Sequence, residues 1–265
     1  IAIRYNSEIF VGVYDLVNEP VHYNGRQVRE LQKRMSERIR EFDKNHILFV
    51  NGNYWSRAFE DLVPKFDDNM VWAFHYYSWM VNAPVSKNTI QYLIDLRKNT
   101  NTPLWLGETG ENSNEWFVQL RTLIEQNNIG WAWWNYKKIG TINAPVSSPT
   151  DPVYQEILNY WGGSGSKPNF DRSLLGLNNM VENLKFENCD LRKDVVASLL
   201  SKDFQAKGIP YKSHSIPGKV EFVDYDLGSL GVAYYDRDFI DDRSDGGSYK
   251  AWNKGYRYRN DGVDI

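Results

Sequence analysis

The chain has a single cysteine, Cys189, so no intramolecular disulfide can staple it, and its four histidines form no Cys/His cluster with zinc spacing. It has no basic block either. Its 31 Lys and Arg stand against 34 Asp and Glu, a net charge of −3, which excludes the electrostatic footprint that nucleic-acid binding demands. No apolar run approaches the roughly 20 residues of a membrane-spanning helix, and the mean hydropathy is −0.58. No initiator Met, signal peptide or transit pattern stands at Ile1. Residues 260–265 run from turn formers toward a strand, and both ends read as cuts through something longer. Aromatics, by contrast, are abundant: 10 Trp, 17 Tyr and 12 Phe make up 15% of the 265 residues. Such a supply either fills a core or lines a cleft in which the apolar face of a sugar stacks on an indole or phenol ring.

The first 160 residues alternate short apolar runs with longer amphipathic stretches. The runs 9–17, 47–51, 70–77, 104–107 and 129–135 are rich in Val, Ile, Phe and Trp. They do not alternate cleanly with polar residues, as strands buried on both faces would not. Between them, Val28, Leu31, Met35, Ile39 and Phe42 recur at helical spacing with charged residues on the other faces. Trp116, Phe117, Leu120, Leu123 and Ile124 repeat that signal, and Ile90, Leu93 and Ile94 give a shorter version. Strand and helix alternating in this way form the βαβ pattern of a parallel sheet. Further on, 162–166 reads as a loop, and helices are expected over 174–184 and 191–200. After Gly208 helical periodicity stops, and short β-type runs at 219–225 and 231–235 alternate with Gly, Asp and Asn. The expected organisation is an α/β domain over 1–207 followed by a β-rich segment over 208–265.

Two carboxylates fall at the C-terminal ends of predicted strands. Glu19 stands in Asn18-Glu19-Pro20 directly after the first run, and Glu108 follows Leu104-Trp105-Leu106-Gly107. In a parallel α/β barrel those strand ends face the catalytic mouth. A carboxylate there is placed for chemistry, whereas the same group on a loop serves as a helix cap or a solvated charge. Two carboxylates flanking one bond are what glycoside hydrolysis requires. His75 and Tyr77 end a third run, and Trp131, Trp133 and Trp134 end a fifth. His75 reads either as a site residue or as a satisfied histidine under a loop. The tryptophans read as sugar platforms or as core, and neighbours on a strand point opposite ways, so not all three can face one cleft.

Asn-Glu-Pro after a strand, then His-x-Tyr, then Gly-Glu ending a strand, then a Trp ending the last strand: in that order the chain resembles glycoside hydrolase family 5. This is the cellulase-like branch of the retaining (β/α)8 glycosidases. The resemblance implies a (β/α)8 TIM-barrel fold, no cofactor and no metal, with Glu19 as acid/base and Glu108 as nucleophile. It also implies that Asn18 contacts the sugar 2-hydroxyl, that His75 and Tyr77 bracket the nucleophile, and that Trp134 floors the subsite beside the cleavage point. In the family, Asn-Glu-Pro closes the fourth barrel strand, so only strands four to eight are expected here. The Arg and His that the family carries on its earlier strands have no counterpart. The stretch 180–189 is similar to a helical extension of some bacterial members.

Residues 216–238, with the Gly pair at 246–247 and the end at 261–265, resemble the opening of a family 6 carbohydrate-binding module, a calcium-bearing β-sandwich. Val223 stands where such modules often carry a second acid two residues after Glu221, so the acidic-x-acidic arrangement that helps hold calcium is incomplete. The alternative is a β-rich appendage with no binding role. The function expected is a retaining endo-β-1,4-glucanase acting on a β-glucan polysaccharide or oligosaccharide in an extracellular or periplasmic setting. Five strands cannot enclose the interior of eight, so an open sheet is expected, with another chain or a missing segment completing the barrel. The rival reading is a catalytically incomplete fragment that binds glycan without cleaving it.

Overall fold

All five apolar runs of the first half become strands, and each is parallel to its neighbour in chain order. They are β1 Val13–Asp15, β2 Ile47–Asn51, β3 Met70–Tyr76, β4 Leu104–Thr109 and β5 Gly130–Trp131, in the order β1-β2-β3-β4-β5. The computed structural model describes residues 1–77, 85–236 and 258–263. It divides the chain into two compact units, one of Ile1–Thr109 with Leu120–Trp133, the other of Gly110–Gln119 with Trp134–Ile265.

In the first unit helix α1 Ala2–Tyr5 precedes the strands, which are joined by helix α2 Gly25–Arg40, by a single turn with left-handed residues, labelled α3, at Asn53–Ser56, by helix α4 Gln91–Thr100 and by the C-terminal part of α5 Asn114–Gln126. The Asn24 side chain starts α2 by accepting from the Arg26 N–H, and Asn101 ends α4 in the left-handed conformation at φ 48°. One face of the sheet carries Tyr14, Leu48, Val50, Met70, Trp72, Phe74, Leu104 and Leu106, all buried. Helical residues tie to the strands at their polar ends. Gln32 of α2 donates Nε2–H to the Asn51 carbonyl at 2.8 Å and accepts from the Asn51 N–H at 2.9 Å. Trp72 donates its indole N–H to Thr100 of α4 at 3.0 Å.

The opposite face is defined by register. Ladder partners Asp15↔Phe49, Phe49↔Val71, Asn51↔Ala73, Ala73↔Trp105 and His75↔Glu108 put these residues in one continuous band. Phe49, Val71 and Trp105 in that band are only partly buried. Gly130 of β5 sits beside Trp105, where a Cβ would come within 2.2 Å of the indole ring. Two runs are shorter as strands than expected. Of 9–17 only Val13–Asp15 pairs, because 9–12 precede the ladder, and Ile9 and Phe10 are 84% and 90% exposed. Of 129–135 only Gly130–Trp131 pairs with β4.

The second unit holds the start of α5, a small sheet of β6 Lys137–Ile139, β7 Val146–Ser148 and β8 Asp190–Leu191, and helices α6 Pro152–Trp161, α7 Phe170–Asn183 and α8 Lys193–Leu200. β6 and β7 are parallel, and β7 and β8 antiparallel. Gly176 lets α7 approach α6 closely, since a Cβ there would meet the Tyr154 backbone nitrogen at 2.9 Å. Val118, Phe204 and Leu227 form a buried cluster with Ala197, Ile209 and Tyr211 against it. The run 219–225, expected as β-type, instead turns through a 3-10 helix at Phe222–Asp224. Among the described residues after 208, backbone pairing is limited to the isolated bridges Ile209↔Leu227 and Leu230↔Tyr234. Short runs rich in Gly, Asp and turn formers have too few consecutive extended residues to extend a ladder. The Gly pair at 246–247 and the last two residues lie outside the described residues.

Candidate active site

Glu19 follows β1 by four residues and takes a left-handed backbone, φ 48°, as the chain turns off the strand. His75 lies near the end of β3, Tyr77 directly after it, and Glu108 near the end of β4. The β3–β4 ladder runs evenly from Trp72↔Leu104 to Phe74↔Leu106 and then skips Gly107, resuming as His75↔Glu108. This bulge changes the side-chain parity. In a regular strand Glu108 would share the helix-covered face of Leu104 and Leu106; with Gly107 as the extra residue it shares the face of His75 and Trp105. Glycine fits at the bulge because a Cβ on residue 107 would lie 3.2 Å from His75 Nε2.

The four side chains form two hydrogen-bonded pairs. His75 Nδ1 lies 2.8 Å from Glu19 Oε1, and the Tyr77 hydroxyl donates to Glu108 Oε1 at 2.6 Å. One carboxylate oxygen of Glu19, one of Glu108 and a His75 ring nitrogen lie within 4.8 Å of one another. The His75 side chain is 2% exposed whereas that of Glu19 is 25% exposed, so the imidazole is fixed beneath a carboxylate that solvent and a ligand can reach. The three atoms form the only candidate cation-ligand group among the described residues. Each of the two pairs already commits one carboxylate oxygen, so a cation would compete with the hydrogen bonds that orient the site.

Two further polar groups on the same face escape strand-end reasoning. Asn51 Nδ2 donates to Asp15 Oδ1 at 2.6 Å, and the Ser56 hydroxyl donates to Asn51 Oδ1 at 2.6 Å. The Asp15 residue keeps solvent access, yet desolvation of its carboxyl holds its pKa above the usual value, against the Asn51 bond and the charge of His75, which pull it down. The sequence signal was an aspartate four residues before Glu19 inside an apolar run. After Asn51 the chain passes through Tyr54, Trp55 and Ser56 with φ of 51°, 60° and 59°. Such left-handed residues are costly and persist only where the surroundings over-determine them. Here Asn53 clamps His22 through its side-chain oxygen and nitrogen at 2.9 and 2.7 Å, and Ser56 is tied to Asn51. Tyr54 and Trp55 stay 44% and 47% exposed. A cleft of about 350 Å³ lined by Tyr54, Arg57, His75 and Tyr92 opens beside them.

Of the remaining predicted residues, Asn18 is exposed next to Glu19. Trp134 belongs to the second unit, is 47% exposed, and forms a parallel bridge with Gly110. The structure thus brings Glu19, His75, Tyr77 and Glu108 into one cluster within the first unit.

A parallel sheet that brings together one carboxylate following its first strand and one near the end of its fourth has the arrangement of a barrel-type hydrolase. The family model for cellulase, glycosyl hydrolase family 5, matches residues 1–140, and the chain belongs to that family. The (β/α)8 barrel type of the family accounts for five parallel strands in sequential order. Endoglucanase C of Acetivibrio thermocellus is 24% identical, the match covering 60% of this chain and 63% of that protein, and endoglucanase C307 of a Clostridium species matches equally. The chain therefore spans less than two thirds of the curated relatives it matches. Among solved structures, the cellulose synthase subunit Z of Clostridioides difficile aligns with a TM-score of 0.50 at 17% identity, covering 76% of this chain and 64% of that one. Endoglucanase Cel5A of Thermotoga maritima aligns with a TM-score of 0.46 at 20% identity, covering 51% and 55%.

Proposed function

We propose that the chain carries the catalytic pair of a retaining β-glycanase, an endo-β-1,4-glucanase of the cellulase type. β1 to β5 then correspond to strands four to eight of the family barrel. The observation that carries the reading is the closeness of Glu19 and Glu108, whose nearest oxygens fall within the 4.8 Å group. Retaining enzymes hold their carboxyl groups about 5–5.5 Å apart, whereas inverting enzymes leave about 6.5–9.5 Å for a water. In the first step Glu108 attacks the anomeric carbon while protonated Glu19 gives its proton to the departing glycosidic oxygen. The glycosyl–Glu108 ester forms as the C–O bond to the leaving sugar breaks. In the second step Glu19 takes a proton from water, which attacks the same carbon and returns Glu108 as a carboxylate.

The neighbouring groups suit these roles. The Tyr77 hydroxyl stabilises Glu108 as an anion before attack and restrains the carboxylate's rotation. His75 fixes Glu19 on the other side and exchanges a hydrogen bond with it in either protonation state. Asn18, exposed beside the acid, is the group for the 2-hydroxyl, and Trp134 is the platform for the adjoining sugar. The substrate is a β-glucan polysaccharide or its oligosaccharides, a polymer whose size fits an extracellular or periplasmic setting.

The test uses purified chain and an activated aryl β-cellobioside alongside soluble β-glucan. Glu108→Gln abolishes turnover on both. Glu19→Gln loses the glucan but keeps slow release of the activated phenol, because a good leaving group needs no proton. Equal loss in both variants on the activated substrate refutes the division of roles. Glucan binding without release of reducing ends by the parent chain favours the glycan-binding fragment instead.

A further inference from the structure

Residues 258–263 belong to the second unit and pack against the loop that begins two residues after Glu108. That loop, 110–113, starts with Gly110 at φ 144° and Glu111 at φ 52°, and runs into α5 through Asn112, Ser113 and Asn114, all buried. Gly110 forms the backbone bridge with Trp134, and Glu111 accepts from Lys138 Nζ at 2.8 Å. At the part of the loop nearest α5, one distant residue makes several of the bonds, beside those of Asp194 and Ser198 to Asn114. Asn260, 0% exposed, accepts at its carbonyl from the Asn114 N–H at 2.7 Å. Its side-chain Nδ2 donates to the Asn112 carbonyl at 2.8 Å and to Asn114 Oδ1 at 3.1 Å. Its backbone N–H donates to Asp194 Oδ2 at 2.8 Å, the oxygen that also accepts from Asn114 Nδ2 at 2.9 Å. One asparagine thus joins the loop, the N-terminus of α5 and the first turn of α8.

Its neighbours hold it in place. Arg259 is buried with its guanidinium 3.7 Å from the Tyr225 ring centroid and 4.3 Å from that of Tyr211, and it donates to the carbonyls of Val223, Tyr225 and Asp226. Asp261 accepts from the Tyr225 hydroxyl at 2.7 Å. A surface tail needs no such set of contacts. Ordering an arginine and an asparagine costs side-chain entropy, and here every one of those bonds is made to a loop or helix end.

We propose that Asn260 is a positioning residue, which through loop 110–114 sets the backbone that pairs with Trp134 and so the platform on which a sugar ring stacks. The proposal rests on the reading of Trp134 as a substrate platform. Asn260 touches no reacting atom; it acts by removing alternative conformations of the loop.

The experiment compares Asn260→Ala with the full parent chain by hydrogen exchange and by kinetics on soluble β-glucan. Amides of 110–117 should exchange at least tenfold faster in the variant, while those of β3 stay as protected as in the parent. KM should rise about threefold or more with kcat within twofold. A residue that merely stabilised the fold would lower the active fraction, reducing apparent kcat with KM unmoved. Unchanged exchange over 110–117, or loss confined to kcat, overturns the proposal. If Asn260→Ala does not fold, Arg259→Lys replaces it, keeping the charge but losing the planar fork that stacks and caps three carbonyls, with the same outcomes expected. Should the parent chain hydrolyse nothing, the family-based reading fails on kinetics, and the exchange arm still decides the clamp.

Discussion

Gly107 decides where Glu108 points. Regular alternation would have sent that carboxylate beneath the helices, and the single extra residue in β4 returns it to the His75 face. Gly107→Ala should therefore damage activity more than stability. The new methyl meets His75 Nε2 at 3.2 Å and pushes the imidazole against its bond to Glu19. We expect kcat/KM to fall about tenfold, the 1.4 kcal/mol of a misaligned group, with a thermal midpoint close to the parent's. A variant as active as the parent would show that the imidazole has slack. Gly130→Ala is the contrasting case: its methyl would land 2.2 Å from the Trp105 ring, and overpacking there should cost about 1–3 kcal/mol in denaturant unfolding. Both glutamates were legible as strand-end carboxylates, because position at a strand end is a property of one segment. The bulge was not, because it exists only between two strands, and neither strand's sequence records its partner's register. Asp15 and Asn51 were missed for a similar reason, since their pairing joins residues on separate strands.

At the scale of elements, the long helices of the first half were legible from their apolar spacing, but α6 was passed over. Its start was written in Asp151-Pro152: the Asp151 carboxylate accepts from the Val153 and Tyr154 N–H groups at 2.9 and 2.8 Å, with proline in the first turn. The second oxygen of Asp151 accepts from Asn179 of α7, so the cap also fastens the helix pair. Asp151→Ala should cost about 1–2 kcal/mol by chemical denaturation, the upper range for an N-cap. Asp151→Asn, which keeps an accepting oxygen, should cost less. The strands β6 to β8 were illegible because segments of two or three residues carry no periodicity.

The joint between α2 and β2 adds a dependence on pH. His46 faces two acceptors, the Glu8 carbonyl at 3.0 Å from Nε2 and Asp43 at 2.6 Å from Nδ1, so both nitrogens can donate only as the imidazolium. The bond to the Glu8 carbonyl, with Asp43 beside it, holds the His46 pKa above 6.5. Burial opposes ionisation of Asp43, yet hydrogen bonds from His46, Tyr14 and Asn45 outweigh it and hold that carboxyl below its usual value, while burial pushes the Tyr14 phenol up to about 12. A histidine raised in the folded state stabilises below its unfolded value and loses that contribution as pH rises past it. A lowered aspartate stabilises above 3.8 and loses its contribution as pH falls. Stability from this pair should be fullest between about pH 4 and 6.5 and decline on either side. Urea midpoints measured against pH should show the alkaline decline in the parent and not in His46→Gln. A parallel decline in both would assign it elsewhere.

Across the whole molecule, burial is uneven. On α7 and its C-cap, Phe170, Leu174, Leu177, Val181 and Leu184 recur at spacings of four and three and are all exposed, Phe170 at 78% and Val181 at 60%. A helix over 174–184 was readable in advance, but the direction of its apolar face was not, since periodicity identifies an apolar face without saying what covers it. Because these side chains already meet water, Phe170→Ser with Val181→Lys should leave the unfolding free energy within about 0.5 kcal/mol. The same pair should reduce binding of an apolar dye. A loss of several kcal/mol would mean that this face is packed in solution.

The chain crosses between its two units three times, after Thr109, Gln119 and Trp133. For recombination between related genes this rules out the simplest exchange. A single junction near residue 208 would part Leu227 from Val118 and Phe204, and Asn260 from the asparagines at 112 and 114. Only an exchange with three junctions, moving 110–119 together with everything from 134 onward, keeps inherited partners inherited together. A 258–263 segment borrowed from a cousin arrives without the loop it was shaped to grip.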